Sequence, residues 1–254
     1  MPMPDLPGDI DLLPPDVAAA VQDLARRARG ANGPIMAAMN AVGGRIEAWV
    51  ARLPKPARDM LDHGAARLLT SLYHGAAGAQ KALPDGGAWG HRLAAAASGA
   101  AGGAGGLASA AVELPATVMV MFSAMLRIAA ENGFDPKSEE VRLTCIDIFG
   151  SGGPGTEDDG VNTTFLGSRL SVNGATLHAV IARVSPAFSA MLGKTLAGKA
   201  IPILGAVAGA GINYAFTGYY EEVARVRFGL KRLAADHGRD RIGYAFRAEM
   251  ARKA

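Results

Sequence analysis

Two carboxylates within apolar sequence are the residues of this chain best suited to acid–base chemistry. Glu113 stands in VELPATV and Asp147 in TCIDIF, and the amide of Asn213 lies in the equally uncharged INYAF. A buried carboxyl group has a shifted pKa, and it serves as a general acid or base when it faces a substrate. If the fold brought these three groups to one pocket between helices, the pocket could support a hydrolase or a lipid-modifying enzyme.

Structural roles account for the same residues. Glu113 and Asp147 could cap helices, since Glu113 stands beside Pro115 at the start of an apolar segment. A buried amide such as that of Asn213 must find hydrogen-bond partners, which it can do by joining two helices. A ligand-facing role for Asn213 and its neighbour Tyr214 stays open beside that interpretation.

Nucleophilic, metal and phosphate-loop chemistry have little support in the sequence. Cys145 shares a helical face with Val141 and Ile148, which is typical of a small buried hydrophobe. The segment GSGGPGTEDDG lacks the GK[ST] ending of a phosphate-binding loop. None of the histidines forms HExxH or a zinc spacing, so we predict no catalytic residue, no metal and no cofactor. The histidines are His63, His74, His91, His178 and His237.

The pattern of apolar residues predicts an all-α chain, a single multi-helix bundle with glycine-rich, close-packed central helices. Apolar residues recur every three or four positions, as in Leu61, Ala65, Leu68 and Leu72, and no long stretch alternates with period two. Proline and glycine mark the helix ends. The predicted helices are 16–29, 34–53, 57–83, 115–132, 135–149 and 158–199 with breaks near 173–174 and 185–186, followed by helices from about 202 onward.

Two segments are uncharged for about 20 residues, at 93–112 and 200–220. Their length would allow two membrane spans, but glycine, alanine and Asn213 contribute little to insertion. Gly205 and Gly209 lie one helical turn apart and would present a groove to a partner helix or an acyl chain. We therefore expect a close-packing helix that lines a groove, with a lipid or a membrane protein as its partner.

Charge and composition restrict the other classes of function. The formal net charge is +3, and the most basic stretch, 225–253, has acids interleaved, so nucleic acid is not an expected partner. The start of the chain, MPMPDLPGDI, lacks the basic and apolar regions of a secretory signal. We expect a cytoplasmic protein, peripheral to the inner face of the membrane, with a Pro-rich arm at 1–15 and one helical domain at 16–254. The oligomeric state cannot be read from the sequence.

Two blocks of the sequence resemble the EcsC protein family. They are ELPATVMVMFSAMLRIAAENGFDPKSEEVRLTCIDIFGSGG, from Glu113, and KAIPILGAVAGAGINYAFTGYYEEVARVRFGLKRLAADHG, from Lys199. With the segment between them, the resemblance covers 33–238. The family takes its name from a gene beside those of an ABC exporter, which implies a transporter accessory. The resemblance brings no catalytic residues, and its hallmark positions imply packing and positioning. They are Glu113, Leu114, Pro115, Pro202, Gly205, Gly209, Asn213 and Phe216.

Three functions follow as hypotheses. The first is a non-catalytic helical interaction module, peripheral to a membrane or to an ABC-transporter complex. The second is an integral membrane protein with spans at 93–112 and 200–220. The third is an enzyme that uses Glu113, Asp147 and Asn213. The groove predicted for the first hypothesis is lined by Glu113, Pro115, Asp147, Gly205, Gly209, Asn213 and Tyr214.

Overall fold

A computed structural model of the chain describes residues 13–31, 54–82, 90, 114–150, 176–199 and 205–252. These residues form helices and short turns, with no strand among them, so the predicted all-α class is confirmed. The helices are α1 (Pro15–Gly30), α2 (Lys55–Ala82), α3 (Leu114–Glu131), α4 (Glu139–Phe149), α5 (Leu177–Lys199), α6 (Gly205–His237) and α7 (Arg239–Ala251).

Helix ends follow the signals in the sequence. Pro15 occupies the first turn of α1, where the missing N–H is not needed. The Ser138 hydroxyl caps α4 by accepting a hydrogen bond from the Val141 N–H at 3.3 Å. Gly133, after α3, has φ +84°, a conformation that glycine adopts without a steric penalty. The predicted ends of these helices agree with the structure to within a few residues.

One predicted break is wrong. The sequence suggested an interruption at Ser185-Pro186, but α5 runs through Pro186. Proline removes one hydrogen bond from a helix, and the carbonyl it leaves belongs to the residue four positions earlier. That residue is Ala182, which is exposed, so water can satisfy its carbonyl group. The predicted helix at 34–53, the break near 173–174 and most of the arm at 1–15 lie outside the described residues.

The core is centred on an aromatic cluster to which four helices contribute. The ring centroid of Phe149, at the end of α4, lies 6.4 Å from Phe122, 5.1 Å from Phe188 and 5.0 Å from Tyr220. These neighbours belong to α3, α5 and α6 respectively. Helices α1 and α7 pack against each other and against α6, while α2 packs against α5. The apolar stripe of α6 is buried as its spacing predicted, with Val223, Val226, Leu230 and Leu233.

Candidate functional site

A buried ion cluster, hereafter the Asp147 cluster, joins three helices. Asp147 of α4 is fully buried, and its two carboxylate oxygens accept hydrogen bonds from two arginines. Nη2 of Arg183, from α5, donates to Oδ1, and Nη2 of Arg227, from α6, donates to Oδ2. The Arg227 side chain is only 2 % exposed, whereas the Arg183 side chain is 40 % exposed. The cluster therefore has one closed end and one end that water reaches.

A glycine contact positions the Arg183 end of this cluster. A Cβ atom built at Gly150 would lie 2.7 Å from Cγ2 and 3.2 Å from Cα of Val184. Only glycine lets the end of α4 approach the backbone of α5 this closely. Val184 follows Arg183 directly, so the same approach brings the Arg183 guanidinium to Asp147, one turn before Gly150.

The other end of the cluster lies within the hydrophobic core. Arg227 lies between the buried residues Val226 and Phe228 on α6. Its positive charge acts on Cys145, two residues before Asp147. Burial raises the pKa of the Cys145 thiol well above its usual range, and the charges of Arg227 and Lys231 oppose that shift. Cys145 is thus a buried neutral thiol, as its helical face suggested, and not an activated nucleophile.

Asn213 belongs to a second polar contact, separate from the Asp147 cluster. Its Nδ2 donates to Oγ1 of Thr117 at 3.2 Å, and both residues are buried, so the amide joins α6 to α3. Asn213 and Arg227 lie fourteen positions apart on one helix, which places them about 21 Å apart along its axis. The Asp147 carboxylate is held at the Arg227 end. The structure therefore does not bring Asp147 and Asn213 to a common pocket.

No contact among the remaining predicted groove residues is described. Pro115 is exposed in the first turn of α3, and Tyr214 is half-buried. Gly205 and Gly209 lie in the first two turns of α6, where no contacts are described. Glu113 and the segment at 93–112 lie outside the described residues. The groove therefore stays a prediction.

Two further polar residues of α6 are buried beside its apolar stripe, and the sequence reading missed both. Glu221 is 1 % exposed. Tyr220 is fully buried against Phe149, and burial raises the pKa of its phenol. Within the described structure its hydroxyl makes no hydrogen bond. A buried hydroxyl without a partner is costly, so the packing of the Tyr220 ring against Phe149 must outweigh that cost.

Two features restrict the chemistry that this part of the molecule can support. A carboxylate that accepts hydrogen bonds from two arginines inside the core is stabilised in its charged form and has no open face for a substrate. Across the described residues, no three His, Cys, Asp or Glu side chains come together as metal ligands. The Asp147 cluster can join α4 to α5 and α6, and it holds the guanidinium of Arg183 at the surface.

Comparison with known protein families matches residues 82–233 to the EcsC protein family. The match covers more than half of the chain. The chain belongs to the EcsC protein family. No curated protein and no solved structure matches it. The EcsC region includes all three residues of the Asp147 cluster and the Asn213–Thr117 contact, so both polar contacts lie in the part of the chain that defines the family.

Within the described EcsC fold, one helix is long and apolar enough to cross a membrane. This helix is α3, with a mean hydropathy of 1.4 over Leu114–Glu131. Of its residues, 61 % are buried, and Phe122 belongs to the aromatic cluster, as expected of a core helix. In the proposed span 200–220, the described side chains from Asn213 onward are mostly buried against other helices.

Proposed function

We propose that this EcsC-family chain is a non-catalytic helical interaction module that associates peripherally with an anionic membrane surface, where it can meet a membrane complex such as an ABC transporter. The distribution of charge over the helices carries this proposal. From Arg225 to Arg252 there are eight basic and three acidic residues, a net charge of +5, whereas the whole chain carries +3. The rest of the chain therefore carries a small net negative charge, and the excess of positive charge is concentrated in this one stretch.

The basic stretch lies on α6 and α7, which pack against each other and against α1. Some of these charges form ion pairs within the protein. Arg227 is buried beside Asp147, and Nζ of Lys231 lies 2.6 Å from Oε1 of Glu140. Arg232, Arg239 and Arg247 are exposed and make no ion pair within the described structure. Arginines near an anionic surface contribute about 1 kcal/mol each to membrane binding. These three residues are the proposed lipid contact.

The use of the polar core residues supports a non-catalytic role. Asp147 and Asn213, two of the three groups that an enzyme would have used, hold helices together at two separate positions along α6. An integral arrangement has less support than a peripheral one, because α3 and the described part of 200–220 bury their apolar side chains within the protein. Peripheral binding requires none of these residues to leave the core.

Vesicle sedimentation tests the proposal. The chain is expected to bind vesicles that contain phosphatidylglycerol and not vesicles of phosphatidylcholine alone. A variant with Arg232→Gln, Arg239→Gln and Arg247→Gln should bind the anionic vesicles about 100-fold more weakly, since three contacts of about 1 kcal/mol are removed. The binding should also weaken as salt is added.

A matched control removes the same charge from other helices. Lys55, Arg67 and Lys137 are exposed on α2 and on the turn before α4, and all three are changed to Gln. This control should bind like the wild type. Equal loss of binding in both variants would show that only net charge matters and would contradict the assignment to α6 and α7. No binding of the wild type to anionic vesicles would refute peripheral membrane association.

A further inference from the structure

Two guanidinium groups meet at the carboxylate of Asp147, and their surroundings differ. The Arg227 side chain is inside the core, where a charge is costly unless an opposite charge lies beside it. The Arg183 side chain reaches water and shares the carboxylate that also pairs with Arg227. Arg183 is therefore the cation of the cluster that a ligand can reach.

The unused hydrogen-bond donors of Arg183 point to the same conclusion. A guanidinium has five N–H donors, and Arg183 uses one of its NH₂ groups for Asp147. It makes no other hydrogen bond within the described structure, and its side chain is 40 % exposed. Asp147 is fully buried and fixes the guanidinium, so little conformational freedom would be lost when a ligand binds.

The helix that carries Arg183 leaves the guanidinium accessible. No Asp or Glu occurs anywhere on α5 to compete for it. Ala179, Ala182 and Pro186 surround Arg183 on the exposed face of the helix, and their small side chains allow close approach. Between Leu177 and Gly193 the helix is apolar, apart from His178 and Arg183 among its ionisable groups. An oriented cation on a small apolar surface suits an anion that has an apolar part.

We propose that Arg183 binds the phosphate group of an anionic ligand. The planar fork of arginine matches a phosphate with two parallel hydrogen bonds, and the bound phosphate extends the cluster to an alternating series of two cations and two anions. The phosphate can belong to a lipid headgroup or to a soluble phosphate ester. The proposal does not depend on membrane association, because a soluble ester would use the same contact.

Thermal unfolding of the full chain tests the site with glycerol phosphate as the probe, against sodium chloride at equal ionic strength. Glycerol phosphate is expected to raise the Tm of the wild type and of Arg67→Gln, a control that removes an exposed arginine from α2. In Arg183→Gln the shift should vanish, with affinity at least about tenfold weaker. Arg183→Lys keeps the charge without the planar fork, and an intermediate shift is expected.

Vesicles of phosphatidic acid distinguish the two sources of the phosphate. If Arg183→Gln weakens vesicle binding and glycerol phosphate competes with vesicles, the ligand is a lipid headgroup. If only the soluble ester responds to Arg183, the ligand is soluble; both results support the site. An unchanged Tm shift in Arg183→Gln, or no shift in the wild type beyond that given by chloride, would overturn it. Neither result bears on vesicle binding through Arg232, Arg239 and Arg247, so the two proposals fail separately.

Discussion

Removal of the charge of Asp147 is the change that tests the structure most directly. Asp147→Asn keeps the size of the side chain and takes away the carboxylate charge that pairs with Arg227. The Arg227 side chain is 2 % exposed, so its charge cannot turn to water without opening the core. Breaking a buried ion pair from one side costs about 3–5 kcal/mol. A folded chain of this kind has a total stability of about 5–15 kcal/mol, so the loss is large.

The two arginines should differ in their effect. Arg183 is 40 % exposed, and exposed ion pairs contribute up to about 1 kcal/mol, so Arg183→Gln should cost no more than that. Arg227→Met leaves Asp147 with Arg183 as its partner and should cost less than Asp147→Asn. The double variant with Asp147→Leu and Arg227→Met replaces the buried pair by apolar groups of similar volume. It should recover most of the loss, because such replacements are often neutral or stabilising.

Urea denaturation followed by far-UV circular dichroism measures these differences. Asp62→Asn is the matched control, since Asp62 is exposed on α2, and it should change the free energy of unfolding by no more than about 0.5 kcal/mol. The order expected is a large loss for Asp147→Asn, a small one for Arg183→Gln and recovery in the double variant. If Asp147→Asn cost no more than Asp62→Asn, or if the effects of the two positions were additive, the buried cluster described here would be refuted.

Two further predictions concern a close contact and a buried thiol. Gly150→Ala should destabilise the chain by about 1–3 kcal/mol, because its Cβ would lie 3.2 Å from the backbone of Val184. The control Gly64→Ala has open space at its Cβ and should stabilise α2 by about 0.5–1 kcal/mol. Midpoints of urea unfolding compare the two variants, and a similar effect for both would contradict the contact between Gly150 and Val184. Cys145 should react with Ellman's reagent only when the chain opens, because burial raises the pKa of its thiol. The contribution of Cys145 to the free energy of unfolding is therefore constant below the ordinary thiol pKa and falls as the pH rises above it. Fast labelling of Cys145 in the folded chain would show that α4 is not packed as described.

The sequence predicted the elements better than the contacts between them. Apolar spacing, proline and glycine located α1, α2, α3 and α4 closely, because these signals are local. The break expected at Pro186 was wrong, since the sequence does not show that Ala182, whose carbonyl loses its helical hydrogen bond, is exposed to solvent. Asp147 was chosen correctly as an unusual carboxylate, but its partners were missed. A partner in space depends on helix order and packing, which one sequence does not contain.

A signal for the partners was nevertheless present. Arg227 lies on the apolar stripe of α6, between Val226 and Phe228, and Arg183 is the only Asp, Glu, Lys or Arg between Leu177 and Gly193. Arg183 is thus a lone charge in the apolar part of α5, Arg227 is a charge on an apolar stripe, and Asp147 is a charge on the buried part of α4. Charges of opposite sign in apolar surroundings are expected to pair, because a buried charge left unpaired is costly. A search for such charges would have given the Asp147 cluster as a hypothesis.

The two polar contacts of α6 give a physical reason for this arrangement of helices. The chain is rich in alanine and glycine and has few aromatic residues, so many alternative helix pairings would bury similar apolar area. The Asn213–Thr117 contact joins α3 to one position of α6, and the Asp147 cluster joins α4 and α5 to a position about 21 Å further along. A shift of α6 by one turn would break both contacts together. We interpret these polar residues as determinants of helix order and register. The same cluster leaves Arg183 with unused donors at the surface of α5, so the contact that orders the helices also creates the site proposed for the phosphate.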